Sequence, residues 1–259
     1  MMRKPFPEYT VIAPLLPVIV LVEPQHSGNL GMVARAMANF GARELRLVNP
    51  CDHLAGEARK FALHAAPLLE AATLFPDLPA ALHDLHLTIA TTRRSGAHRE
   101  VPLTLADLPG RVSRRAPGEQ VGLVFGREDS GLTSDEVAAC TGAVTIPTDP
   151  DFASLNLAQA VAITLYELSR EGEAVGMAAS GERPTQGELE ELFAQMETIL
   201  TRIAFLHPVR PDLRMNRLRR IHRKAALDRR EFNLLRSLWD QLGWSIRDWS
   251  GRKKVKGQE

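Results

Sequence analysis

Polar chemistry is concentrated at Ser154, Asn156 and Gln159, crowded onto the start of one periodic segment. Downstream of them Ala158, Val161, Ala162, Leu165 and Leu168 recur at the spacing of a helix with one buried face. Ser154 stands where an N-cap is expected, its hydroxyl able to accept an orphan helix N–H. Ala158, Ala160 and Ala162 keep the first half of this helix slim, so another backbone can approach closely. A slim helix with a polar, positively polarised N-terminus suits a polar ligand. The same pattern also describes a capped core helix, and this segment alone does not choose between them.

Metal and disulfide chemistry find little to build on. Cys51 and Cys140 have no C-x-x-C partner. The eight histidines form no H-E-x-x-H, and His83 and His86 lack an accompanying acidic or thiolate pattern. No metal is expected, and unpaired cysteines fit a reducing, cytoplasmic setting.

The elements that must position the polar cluster read as alternating strands and helices. Val18–Val22 is a β-branched run closed by Glu23-Pro24. A helix near Asn29–Phe40 follows, with Gly41 in the stopping position, and then a strand over Glu44–Val48. That βαβ order implies a parallel sheet. Leu87–Thr91, Val121–Phe125 and Val144–Ile146 supply further strands, and Thr133-x-x-Glu136 is a capping box opening another helix. The turn after the first strand reads Gly28-Asn29-Leu30-Gly31, neither a dinucleotide fingerprint nor a P-loop, which disfavours an ordinary Rossmann-type site.

Gly172–Pro184 is rich in small residues without periodicity and reads as a linker. Capping boxes at Thr185-x-x-Glu188 and Asp228-x-x-Glu231 then open helices, with a third helical stretch over Met215–Lys224. The expected organisation is a domain over residues 1–171, a linker over 172–185 and a helical extension over 186–259. Charge divides along the same line. From Arg202 onward the chain holds 16 Lys/Arg against 6 Asp/Glu, and the preceding residues hold 16 against 25. A basic tail on an acidic body is the electrostatic footprint of nucleic-acid binding. At the other end Arg3, Lys4 and the apolar run to Val22 imitate a signal peptide. Pro14 and Pro17 interrupt that run, no small-x-small cleavage site follows, and it is too short to span a membrane.

Three phrases give these elements a family likeness: NLGMVARAMANFG within Val18–Pro50, LVFGREDSGL after Val121, and Ser154-Leu155-Asn156-Leu157. In this order they resemble the motifs of the SpoU branch of the SPOUT methyltransferases, and within it the TrmJ family, over about residues 18–170. MNRLRRIHRKA and EFNLLRSLWDQL resemble that family's C-terminal region. The resemblance implies an α/β fold with a parallel sheet and a trefoil knot, S-adenosylmethionine as cofactor, tRNA as partner and a homodimer. It implies 2′-O-methylation of an anticodon-loop nucleotide, C or U at position 32. The alternatives are the same chemistry on ribosomal RNA, or an RNA-binding factor without catalysis.

Residue by residue, the likeness assigns cofactor binding to Thr91, Thr92 and Arg93, to Gly126, and to Ile146, Ala153, Ser154 and Leu155. Ile146 and Leu155 are expected to sandwich the adenine. Arg35 and Asn29 are placed at the reacting hydroxyl, Glu128 at the ordering of the loops, and Ser154 and Asn156 at the ribose or cofactor carboxylate. A guanidinium holds its proton too tightly to make a good base, so Arg35 is expected to fix phosphate and stabilise a partly ionised hydroxyl. Arg127 is expected to be structural or phosphate-facing. Arg214, Arg217, Arg219, Arg220, Arg223 and Lys224 are expected to track phosphates as an exposed cluster.

Overall fold

The computed structural model describes residues 17–92, 103–113, 115–116, 118–152, 154–170, 182–206 and 212–248. In chain order the sheet region runs β1 (Val18–Val22), α1 (Ser27–Asn39), β2 (Leu45–Val48), α2 (Gly56–Ala62), α3 (Ala66–Glu70), β3 (Thr73–Phe75), α4 (Leu78–Leu82) and β4 (Leu87–Thr91). It continues with β5 (Leu103–Thr104), α5 (Leu108–Val112), β6 (Val121–Phe125), α6 (Ser134–Ala139), β7 (Gly142–Thr145) and α7 (Leu157–Arg170). Three helices follow: α8 (Gln186–Arg202), α9 (Asp212–Ala225) and α10 (Arg229–Ser245).

The strands form one sheet in the order β3-β2-β1-β6-β4-β7-β5, every pair parallel. Parallel sheets are covered on both faces, which is why the central strands read as unbroken apolar runs. β1 shows the division: Ile19 and Leu21 enter the core under α1, α5 and α7, while Val18, Val20 and Val22 enter the core under α4 and α6. α1 packs tightly on α2, for a Cβ on Gly31 would lie 2.2 Å from the Ala58 carbonyl oxygen. Arg46 is the polar exception in β2. It is buried, and is satisfied by Asp84 at 2.5 Å, Glu44 at 2.6 Å and the Ala81 carbonyl.

Two expectations about local structure change. Asn156, not Ser154, caps α7, its Oδ1 accepting the Ala158 and Gln159 N–H groups at 2.9 and 3.4 Å. The preceding loop carries a 3-10 turn over Pro150–Phe152, so the helix starts later than its polar residues imply. The end of the segment read as a linker is firmly docked. Arg183 forms a buried ion pair with Glu119 at 2.7 Å, and the Gln186 and Gly187 N–H groups bond the Leu85 and His83 carbonyls, both at 2.9 Å. Arg93, Ala153 and residues 171–181 lie outside the described residues. Among the described residues no helix is long and apolar enough to cross a membrane, and no group of His, Cys, Asp and Glu is arranged to hold a metal ion.

Candidate functional site

The C-terminal ends of β4, β6 and β7 and the start of α7 open onto one pocket. Its walls include Thr91 at the end of β4 and Thr92 just after it, residues 125–132 from the end of β6, Ile146 after β7, and Ser154, Leu155, Leu157 and Ala160. Ligands of open parallel sheets bind at this carboxyl edge. Six of the residues expected to hold a cofactor therefore share one cavity: Thr91, Thr92, Gly126, Ile146, Ser154 and Leu155. Sequence reasoning missed Leu132, Leu157 and the face of Ala160. The one available signal was the alanine spacing that keeps α7 slim.

Gly126 has a steric reason. A Cβ there would lie 2.2 Å from the Gly131 carbonyl carbon and 2.3 Å from the Leu132 nitrogen. The chain can leave β6 and fold back this tightly only without a side chain. Arg127 and Gly131 then pair as an antiparallel bridge that closes the loop.

Neighbouring side chains of this loop reach in different directions. Glu128 turns to the β1–α1 connection and accepts the Gln25 N–H at 2.8 Å, the His26 N–H at 3.2 Å and Asn29 Nδ2 at 2.9 Å. Asn29, itself buried, accepts Asn156 Nδ2 on its Oδ1 at 2.8 Å. Chemistry fixes both amide orientations. An ionised carboxylate only accepts and the helix N–H groups only donate, so the chain Glu128–Asn29–Asn156–α7 has a single polarity. All three motifs are thereby locked together. Asn29 and Asn156 are occupied within this chain of bonds, and Ser154 is exposed on the pocket wall.

Arg127 points away from that chain. Its Nε donates to Glu23 at 2.8 Å, its terminal nitrogens to Glu136 at 3.1 and 3.0 Å, and one of them also to the Gly131 carbonyl. The Glu136 hydrogen bonds and then Glu23 raise its pKa, so it stays a cation. Burial, the largest single influence, would raise the Glu136 pKa, but the hydrogen bonds from Arg127 and Thr133 and the Arg127 charge together outweigh it, and the carboxyl sits below its ordinary range. Of the two roles expected of Arg127, the structural one has these contacts; a phosphate-facing role would require breaking them.

Arg35 is exposed two turns into α1, outside the pocket wall and without a hydrogen bond or ion pair among the described residues. The α9 arginines divide between two faces. Arg214, Arg217 and Arg220 are exposed. Arg219 instead bonds Glu197 at 3.3 Å and lies over the Phe193 ring. Arg223 is buried, paired with Glu190 at 2.5 Å and donating to the Ala138 carbonyl. Burial lowers its pKa, opposed by the Glu190 charge. The expectation of one exposed cluster is corrected on these two residues: α8 supplies an acidic and aromatic partner surface for them. Nothing is described of the Lys224 side chain.

The profile of the SpoU rRNA Methylase family matches residues 17–166, and that of the tRNA methyltransferase TrmJ C-terminal domain matches residues 187–250. A tRNA (cytidine/uridine/adenosine-2′-O-)-methyltransferase TrmJ from Pseudomonas aeruginosa is 38% identical over 238 residues, covering 85% of this chain and 91% of that protein. The chain belongs to the TrmJ family of SpoU methylases. A tRNA (cytidine/uridine-2′-O-)-methyltransferase TrmJ from Pectobacterium atrosepticum is 36% identical over 225 residues, covering 85% of this chain and 93% of the relative. The crystal structure of TrmJ from Z. mobilis superposes with a TM-score of 0.77 at 33% identity, covering 87% of this chain and 98% of that one. The TrmJ assignment joins sheet region and helical extension in one architecture.

The pocket fits the S-adenosylmethionine that a SpoU methylase requires. Ile146, Leu155, Leu157 and Leu132 offer apolar walls for a purine, and Thr91 Oγ1 is buried at the wall without a hydrogen-bond partner among the described residues. Buried hydroxyls are normally paired, so this one is available to a polar ligand.

Proposed function

We propose that this chain methylates a ribose 2′-hydroxyl of tRNA with S-adenosylmethionine, acting on C or U at anticodon-loop position 32. The carrying observation is the pocket lined by two of the three motif segments, with the third, on α1, tied to both through Asn29. The names of the TrmJ relatives support tRNA as the acceptor.

Bound in the pocket, S-adenosylmethionine supplies an activated methyl group. Ile146 and Leu155 hold its adenine, Gly126 admits the backbone beside it, and Thr91, Thr92 and Ser154 meet its polar atoms; Arg93 and Ala153 complete the set. The Glu128–Asn29–Asn156 chain keeps the loops in register. Arg35 grips phosphate and stabilises the hydroxyl as its proton leaves. Alignment of the hydroxyl with the transferred methyl is the main demand of such a step. Arg214, Arg217, Arg220 and Lys224 bind phosphates of the anticodon arm, while Arg219 and Arg223 keep their inward roles.

The reading includes a trefoil knot through the pocket loops, residues 1–171 as the catalytic domain joined by 172–185 to a helical domain over 186–259, a cytoplasmic location and a homodimer. Met32 and Arg35 share one face of α1, and Ile163 and Tyr166 are exposed on the adjoining α7. This apolar strip supports a two-fold contact that brings Arg35 to the border between protomers. The decisive test is transfer of labelled methyl from S-adenosylmethionine to purified tRNA and to ribosomal RNA, followed by mapping of 2′-O-methylated positions. Methylation at tRNA position 32 is expected. Labelling of ribosomal RNA alone would overturn the substrate, and no transfer to either would overturn the activity.

A further inference from the structure

α6 has no fully buried residue, though Val137 and Ala139 pack part-buried against the core under α4 and α6. Two arginines hold it from different parts of the chain. Arg127, on the pocket loop, grips Glu136 through two nitrogens and Glu23 through a third, pinning the loop to α6 and to the end of β1. Arg223, on α9, donates to the Ala138 carbonyl while its other terminal nitrogen meets Glu190 of α8. Both side chains are largely withdrawn from solvent, 16% and 8% exposed. A planar guanidinium can hold separate acceptors at once, which a single ammonium cannot do in the same geometry. The bonds form a continuous series: pocket loop, Arg127, Glu136, α6, Ala138, Arg223, α9.

From this geometry we infer that Arg127 and Arg223 are positioning residues for the cofactor loop, both acting through α6. Arg127 sets loop 126–131 against Glu136, and Arg223 fixes the far end of α6 so that Glu136 stays within Arg127's reach. The inference rests on the reading of the pocket as the S-adenosylmethionine site. It gives one arginine of the basic helix a task at the cofactor rather than at RNA, and the helical region shapes the pocket without lining it. Supporting groups of this kind decide whether a site is held tightly enough to bind.

The test is calorimetric titration of S-adenosylmethionine into the full chain, well below each variant's melting temperature. Arg127→Met and Arg223→Met are expected to weaken binding by about 2- to 30-fold, the larger effect at Arg127. Arg127→Lys should be nearly as weak as Arg127→Met. In turnover the KM for S-adenosylmethionine should rise more than kcat falls. Arg219→Gln is the comparison: it loses its pairs with Glu190 and Glu197 on the same helix but has no bond to α6, and should keep wild-type affinity. If Arg127→Met does not fold, Glu136→Gln takes its place with the same expectation. Wild-type affinity in Arg223→Met, or equal weakening in Arg219→Gln and Arg223→Met, would overturn the inference. A wild-type chain that binds no S-adenosylmethionine would instead overturn the pocket reading on which it rests.

Discussion

The polar cluster beside the pocket and the outer face of α9 use similar residue types to opposite ends. Around the pocket Glu128 accepts three N–H groups, both amide ends of Asn29 are engaged, and every nitrogen of the Arg127 guanidinium has an acceptor. On α9 the exposed Arg217 has no partner among the described residues, and Arg214 spends one nitrogen on the Phe205 carbonyl. Groups whose bonding capacity is consumed inside the protein set geometry; groups that retain it in solvent meet ligands. Arg35 falls in the second class, although its motif partner Asn29 falls in the first.

The largest effect that sharpens this contrast belongs to Arg35. Arg35→Ala should bind S-adenosylmethionine normally and tRNA only modestly worse, yet transfer methyl roughly a hundred- to a thousandfold more slowly, the usual cost of one lost charge-stabilising donor. Single-turnover rates at saturating tRNA and S-adenosylmethionine are the measurement. Arg35→Lys should recover little if the planar fork matters, whereas recovery that grows with pH would point to proton abstraction. Wild-type rates in Arg35→Ala would put Arg35 back among ordinary surface residues.

Next in size is the division of α9. Reversing Arg217 and Arg220 together to Glu should weaken tRNA binding about tenfold at moderate salt and lower the slope of log affinity against log salt by about 0.9 per lost phosphate contact. The melting temperature should hardly move, because both side chains are exposed. An unchanged salt slope would remove the outer face of α9 from the RNA interface.

A smaller but distinctive effect is expected inside the saturated cluster. Asn29→Ala leaves Glu128 and Asn156 each short of a partner, a loss of about 1–3 kcal/mol of stability. Asn29→Asp should do no better despite its matching size, because an ionised carboxylate cannot donate to Glu128. Chemical denaturation of the three proteins tests this. Full stability in Asn29→Asp would mean that the Glu128–Asn29 bond contributes nothing.

Much of this division escaped the sequence, for a specific reason. The central strands were legible because both faces of β1, β4 and β6 are buried, and the capping boxes at Thr133, Thr185 and Asp228 all formed where they were read. β3 and α4 escaped, being three and five residues long and leaving little room for a periodic signal. The pocket residues were found through motif resemblance, since strand-end threonines and a glycine carry no chemistry of their own. The inward arginines were misread because a basic helix face normally seeks water. Arg219 and Arg223, four apart, instead meet Glu190 and Glu197, seven apart on α8, across Phe193. That complementarity exists only once α8 and α9 are side by side.

The smallest effect is a pH dependence that separates the two regions. The Glu136 carboxyl lies below its ordinary range: burial, the largest single influence, would raise it, and the bonds from Arg127 and Thr133 with the Arg127 charge together outweigh burial. Asp84 is likewise lowered, by its bond from Arg46. A carboxyl whose folded-state pKa is depressed contributes stability that is present above its unfolded pKa, about 4, and is lost as pH falls through the folded value. Glu136→Gln should therefore melt below wild type at neutral pH, with the gap closing as the solution is acidified below about pH 4. Affinity for S-adenosylmethionine should weaken along the same acid limb in the wild type and less steeply in Glu136→Gln, because protonation releases the Arg127 grip on the pocket loop. The outer arginines of α9 have no such link, so the Arg217 and Arg220 reversals should leave the acid limb of S-adenosylmethionine binding where it is in the wild type. Melting curves for wild type and Glu136→Gln that stay parallel from neutral pH into the acid range would show that Glu136 gains nothing from Arg127, leaving Glu23 as the only carboxylate among the described residues that holds it.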